Sequence, residues 1–186
     1  MPKLLIIIVS VRDGRAGQPV ADWFIERAKA HGKFDVEVAD LKEIALPLID
    51  EPHHPRLQQY QYDHTKAWSK TVSAADAFVF VTPEYNFTTP PSLINALDYL
   101  SNEWKHKAAG FVSYGGISAG TRSTNEARIP LSCLGVLISQ SAVNISFFTK
   151  QIVDGQFQNN ELNDGAADAM LDELVRLDGA LRTLRV

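Results

Sequence analysis

Lys3-Leu-Leu-Ile-Ile-Ile-Val9 opens the chain as an unbroken apolar, β-branched run, followed by a polar, glycine-containing loop. Runs of this kind predict strands buried on both faces, which belong to parallel sheets. Val20, Trp23, Phe24 and Ala28 then recur at helical spacing, with Asp22, Glu26 and Lys29 between them, predicting an amphipathic helix that ends near His31-Gly32. Phe34-Asp-Val-Glu-Val38 alternates with period two, as a strand nearer a sheet edge does. Residues 47–64 are poor in aliphatics, hold Pro52 and Pro55, and read as a surface excursion. Trp68, Val72 and Ala75 mark a second helix, 77–82 a second buried strand, and Leu93, Ala96, Leu97 and Leu100 a third helix. Residues 108–113 predict a third buried strand, and a helix begins at Thr121 that Pro130 is expected to kink or split. A further strand region covers 136–145, and Leu171, Leu174, Leu177, Leu181 and Leu184 stripe a C-terminal helix.

Alternating strands and helices at short spacing imply a parallel sheet covered by helices on both faces. With right-handed crossovers, the economical arrangement is an α/β, three-layer, doubly wound sheet of five strands. At 186 residues the chain suits one such domain, spanning 1–186. A formal charge of −4 lacks the basic surplus of a nucleic-acid binder. The apolar run Leu4 to Val9 is too short to span a bilayer, and Arg12, Asp13 and Arg15 follow it without the small-residue site of a signal segment, so the expectation is a cytoplasmic protein without membrane contact. One cysteine, Cys133, agrees with a reducing compartment and reads as a small core residue of a hydrophobic helix. His53, His54 and His64 lack metal-ligand spacing and read as surface residues.

In such sheets ligands bind beyond the carboxyl ends of the strands, where the winding reverses. Three loops there are rich in polar and backbone-permissive residues. Ser10 to Gly17 precedes a helix start with Pro19 near its first position; the Ser10 hydroxyl, the Arg12 guanidinium and free N–H groups suit a phosphate, although a plain strand-to-helix turn has the same look. It is neither a nucleoside-triphosphate loop nor a dinucleotide fingerprint. Pro83-Glu-Tyr-Asn86 is stiffened by prolines and offers Tyr85 to a planar ring, or is an ordinary connection with an aromatic plug. Tyr114-Gly115-Gly116 brings backbone N–H groups close to a ligand, or makes a tight turn. Taken together the loops describe a phosphate-tailed planar ring, which a flavin fits. No nucleophile elbow or metal-spaced cluster appears, so no side chain is assigned as catalytic; the cofactor would carry the chemistry.

These residues resemble the NADPH-dependent FMN reductase family of quinone, azo and chromate reductases. The resemblance rests on Ser10-x-Arg12 with Gly14-Arg15 and Gly17, on Pro83-Glu84-Tyr85-Asn86, and on Ser113-Tyr114-Gly115-Gly116 with Ala119-Gly120-x-Arg122. It runs from about Leu5 to Ile145, and its most specific part is the Pro-Glu-Tyr-Asn block followed by Pro91, Leu93, Asn95, Ala96 and Leu97. It implies a flavodoxin-like fold and noncovalent FMN. The phosphate would be held by Ser10, Arg12 and Gly17 with Gln18, Pro19 and Val20. The ring would lie against Pro83, Glu84, Tyr85 and Asn86 on one side and Ser113, Tyr114, Gly115 and Gly116 on the other. It further implies a ping-pong cycle from NADPH or NADH to a small acceptor, in a homodimer or homotetramer. Arg15 is either a contact for the nicotinamide-nucleotide phosphate or a solvated surface arginine. Val9 and Ile94 depart from the usual glycine and lysine; the first affects entry to the phosphate loop, the second a helix surface or interface. The alternative is an FMN-binding electron-transfer or redox-sensing protein with no NAD(P)H oxidation of its own.

Overall fold

The computed structural model describes residues 1–185. Its elements run β1 (Lys3–Ile8), α1 (Gln18–His31), β2 (Asp35–Asp40), α2 (Leu41–Ile44), α3 (Asp63–Ala74), β3 (Ala77–Pro83), α4 (Pro91–Asp98), β4 (Ala108–Tyr114), α5 (Thr121–Cys133), β5 (Leu137–Ile138) and β6 (Val143–Ile145). A small hairpin of β7 (Ile152–Val153) and β8 (Gln156–Phe157) precedes α6 (Glu161–Leu181). The main sheet has the order β2-β1-β3-β4-β5, and every pairing in it is parallel. This order is the flavodoxin-like one, with its winding reversed between β1 and β3.

Alternation within β1 explains the three layers. Leu4, Ile6 and Ile8 face α1 and α6 in one core, while Leu5, Ile7 and Val9 face α3, α4 and α5 in the other. Both faces are covered, so β1, β3 and β4 carry apolar runs that do not alternate with polar residues. The large aromatics fill the second core: Trp68 and Trp104 are buried edge to face, and their indole N–H groups reach the Ala96 and Leu97 carbonyls of α4.

Several expectations are corrected. The strand expected over 136–145 is two short pieces that both pair with β4, because the chain leaves the sheet at Gln140 to Ala142, after the Ser139 amide has bonded to the Ala109 carbonyl at 2.8 Å. Pro130 does not split its helix: α5 runs from Thr121 to Cys133, and Pro130 has only one turn of helix after it. Cys133, expected in the core, is exposed at the end of that helix. Leu184 lies beyond α6 in a 3-10 turn and is exposed.

The detour between β5 and β6 is pinned by α6. Glu173 accepts the Gln140 and Ser141 amides at 2.9 Å each. Burial alone would raise this carboxyl, but these bonds outweigh it and hold its pKa at about 2, below the ordinary 4.5. A folded-state pKa below the unfolded one stabilises above the unfolded value and is lost as pH falls through the window. Glu173→Gln is therefore expected to cost about 2 kcal/mol at pH 7. By urea unfolding, that gap from the native chain should narrow steadily below pH 4.5.

Candidate functional site

Strand register brings the three loops to one rim. Ile8 pairs with Val81, Pro83 pairs with Tyr114, and the Val9 amide continues the ladder onto the Val81 carbonyl at 3.0 Å. β1, β3 and β4 thus end level, at the switch point. A cleft of about 420 Å³ opens there, lined by Ser10, Arg12, Gly14 to Gly17, Pro83 to Tyr85, Tyr114 to Gly116, and Phe147 to Thr149. Valine is accommodated at position 9, just past β1, because φ is not positive there and its side chain packs in the second core; its carbonyl accepts the Ser92 hydroxyl at 2.6 Å. Ile94 lies half-buried on α4.

Five of the expected residues are not part of this lining. Gln18 donates to Asp22 at 2.9 Å, Pro19 borders a separate depression with Trp23, and Val20 is in the core. Asn86 sits exposed at the tip of its loop. Ser113 is buried, its hydroxyl 2.8 Å from the Ala119 carbonyl and 2.9 Å from Asn144 Oδ1.

One end of the cleft is built for an anion. Gly17 starts α1 without a side-chain cap, and no acidic residue lies in the first turn, so the positive end of the helix dipole is uncompensated. Among the described residues, the amides of Ala16, Gly17 and Gln18 have no acceptor within the chain. The hydroxyls of Ser10 and Tyr114 are buried side by side and have no other partner among the described residues. Burial pushes the Tyr114 phenol up to about 12, so the group stays a neutral hydroxyl. Gly17 permits this approach, because a Cβ there would sit 2.0 Å from the Tyr114 oxygen. Arg12 is exposed, forms no ion pair among the described residues, and stands 5.8 Å from the centre of the Tyr85 ring. Arg15 differs: its guanidinium pairs in a fork with Asp40 at the end of β2 and donates to the Ser10 carbonyl at 2.7 Å. It braces the loop from beneath rather than lying solvated on the surface.

The opposite side is flat and aromatic. Tyr85 and Thr88 exchange backbone hydrogen bonds of 3.1 and 2.9 Å around a two-residue turn. Glu84 accepts from both the Arg122 side chain at 2.8 Å and the Arg122 amide at 3.2 Å, as well as from the Ser118 hydroxyl. Burial raises its carboxyl, but these donors outweigh that and hold it below the usual range. The Gly115 amide is spent on the Ile145 carbonyl at 3.1 Å, whereas the Gly116 amide has no acceptor among the described residues. The wall formed by Phe147, Phe148 and Thr149 was not anticipated. Phe148 packs on Tyr114 at 4.8 Å, and the Phe147 amide donates to the Gly116 carbonyl at 3.0 Å. Its signal in the sequence is an aromatic pair just past the last strand of the sheet, at the rim where ligands bind.

Residues 2–150 match the family model described as NADPH-dependent FMN reductase. The chain is 45% identical over 121 residues to an NAD(P)H-dependent FMN reductase of Schizosaccharomyces pombe, covering 64% of this chain and 60% of that protein. It is 30% identical over 165 residues to an FMN-dependent NADPH-azoreductase of Staphylococcus haemolyticus, covering 88% of this chain and 82% of that protein. Among solved structures it is similar in fold to the flavoenzyme NAD(P)H:(acceptor) oxidoreductase FerB of Paracoccus denitrificans, with a TM-score of 0.78 at 18% identity, covering 95% and 98% of the two chains.

Proposed function

The chain belongs to the NADPH-dependent FMN reductase family, and on that premise we propose that it holds FMN noncovalently in this cleft and passes electrons from NADPH or NADH to a small acceptor. The observation that carries the reading is the pair of buried, neighbouring hydroxyls, Ser10 and Tyr114, which have no partner but each other among the described residues, beside the uncapped start of α1. Buried donors without acceptors are costly, and a phosphate dianion supplies the missing acceptors at a helix terminus made for one. The residues present therefore fit the group. When bound, FMN supplies two-electron chemistry, taking hydride from a reduced nicotinamide and yielding it to a quinone, azo compound, metal oxyanion or free flavin.

The chain's own residues bind, orient and exclude water. Ser10, Arg12, the Tyr114 hydroxyl and the amides of Ala16 to Gln18 hold the phosphate. Pro83 and Tyr85 on one side, and Tyr114 with Gly116 on the other, fix the plane of the ring. The Gly116 amide offers a donor to the ring's polar edge, where negative charge grows on reduction. Phe147 and Phe148 close the remaining wall against water. Glu84, the one carboxylate among the described lining residues, is tied to Ser118 and Arg122, so no cleft carboxylate is free to serve as a base. Assembly into a homodimer or homotetramer belongs to the same proposal and is read by sedimentation.

The test is the visible spectrum of the purified protein, before and after heat release of the pigment, followed by anaerobic mixing with NADPH and with NADH. Bleaching of stoichiometric FMN within a turnover time is expected. A colourless protein that FMN does not reconstitute sinks the cofactor, and a bound flavin that neither nucleotide reduces leaves an electron carrier instead.

A further inference from the structure

The loop that faces the ring side of the cleft has an unusual tip. Its two central residues, Asn86 and Phe87, both adopt positive φ, 50° and 68°. This is a two-residue turn of the kind that favours asparagine first and glycine second. Phenylalanine takes the glycine place although the residue is 71% exposed. What the ring does touch is Arg122, whose guanidinium lies 4.1 Å from the ring centre. The same guanidinium pairs with Glu84, the residue before the turn, whose side chain is only 7% exposed. On the far side of the tip, Glu126 of α5 accepts the Thr89 amide at 2.7 Å and the Thr88 hydroxyl, and the Thr89 hydroxyl donates to the Ser123 carbonyl at 2.7 Å. A strained tip is thus bolted to the first turns of α5 from both ends, and one bolt, Glu84, also lines the cleft.

We propose that Glu84 and Arg122 are positioning residues that form a charge-balanced clamp, holding Tyr85 over the cleft and setting the reduction potential of the ring it covers. The proposal rests on FMN occupying the cleft. Its logic is electrostatic. The buried Glu84 charge is cancelled by Arg122 and by the start of α5, so the clamp presents little net charge to the ring. Removing the cation leaves a buried negative charge beside a group that becomes more negative on reduction; removing the carboxylate leaves a cation there. The two losses therefore act with opposite sign on the potential, although both loosen the tip in the same way. A purely structural contact has no reason to do this.

The experiment compares Arg122→Gln, Glu84→Gln and Arg122→Lys with the native chain, using the midpoint potential of bound FMN and amide exchange at Tyr85 and Thr88. Arg122→Gln is expected to move the potential negative and Glu84→Gln to move it positive. Arg122→Lys keeps the charge and leaves the potential near the native value. Exchange at both amides should quicken about tenfold in the two glutamine variants. Shifts of the same sign, or unchanged potentials, overturn the tuning; unchanged exchange overturns the clamp. Exchange is also read on the FMN-free chain, so it tests the clamp even if the native protein takes up no FMN, a result that would count against the cofactor reading instead. Should Glu84→Gln fail to fold, a negative shift in Arg122→Gln that Arg122→Lys does not show supports the charge argument, and equal shifts in the two overturn it.

Discussion

Gly120→Ala is expected to destabilise the chain by about 2–4 kcal/mol, well beyond the effect of Gly14→Ala in the same rim. Gly120 begins α5 with φ +80°, a backbone region in which side chains are strained. That alone costs about 1–2 kcal/mol. The added Cβ would also lie 2.9 Å from the Tyr114 carbonyl and 3.0 Å from its nitrogen and from the Ser113 Cβ. These are atoms of β4, which pairs with β3 along its whole length and with β6 at this end, so they have little room to retreat. Gly14 isolates the second contribution. It too has positive φ, +67°, but a Cβ added there would meet nothing within 4 Å. Gly14→Ala should therefore show the backbone cost only. Urea unfolding of both variants measures the difference, and equal losses would mean that β4 yields to the methyl group.

What was legible in the sequence follows from where the constraint is local. β1, β3 and β4 are buried on both faces, and such strands have no reason to alternate, so their apolar runs stand out. The fifth strand position misled because its apolar residues extend through Ser139-Gln-Ser141, whose departure from the sheet is held by Glu173, more than thirty residues away. Cys133 looked like core because its neighbours Leu131 and Leu134 are apolar; helical phase nevertheless carries it to the outer face. At the rim, the three loops were readable because each combines a strand end with glycine, proline or hydroxyl chemistry. The fourth wall, Phe147 to Thr149, was not, since an aromatic pair after a strand has the same local pattern whether it packs inward or lines a cleft. Arg15 shows the same limit. Nothing near it in the chain reveals that Asp40, across the sheet edge, takes up its charge.

The contrast between Arg12 and Arg15 gives the other large effect. Arg12→Ala is expected to weaken FMN binding about 10- to 100-fold, the loss of a charge-assisted contact to phosphate of about 1.5–3 kcal/mol. The stability of the FMN-free chain should be unchanged, because Arg12 is exposed and takes part in no ion pair among the described residues. Arg15→Ala should do the reverse in its first effect. It strips the partner from Asp40, whose side chain is only 16% exposed, and removes the bond to the Ser10 carbonyl, lowering the stability of the FMN-free chain by about 1–3 kcal/mol. Asp40 would be left with the Lys42 amide at 3.0 Å as its remaining charge-stabilising bond. Fluorescence titration with FMN and urea unfolding without it separate the two. If Arg12→Ala binds FMN within about twofold of the native chain, the phosphate is held by the hydroxyl and the helix amides without it, and the guanidinium over Tyr85 has some other partner.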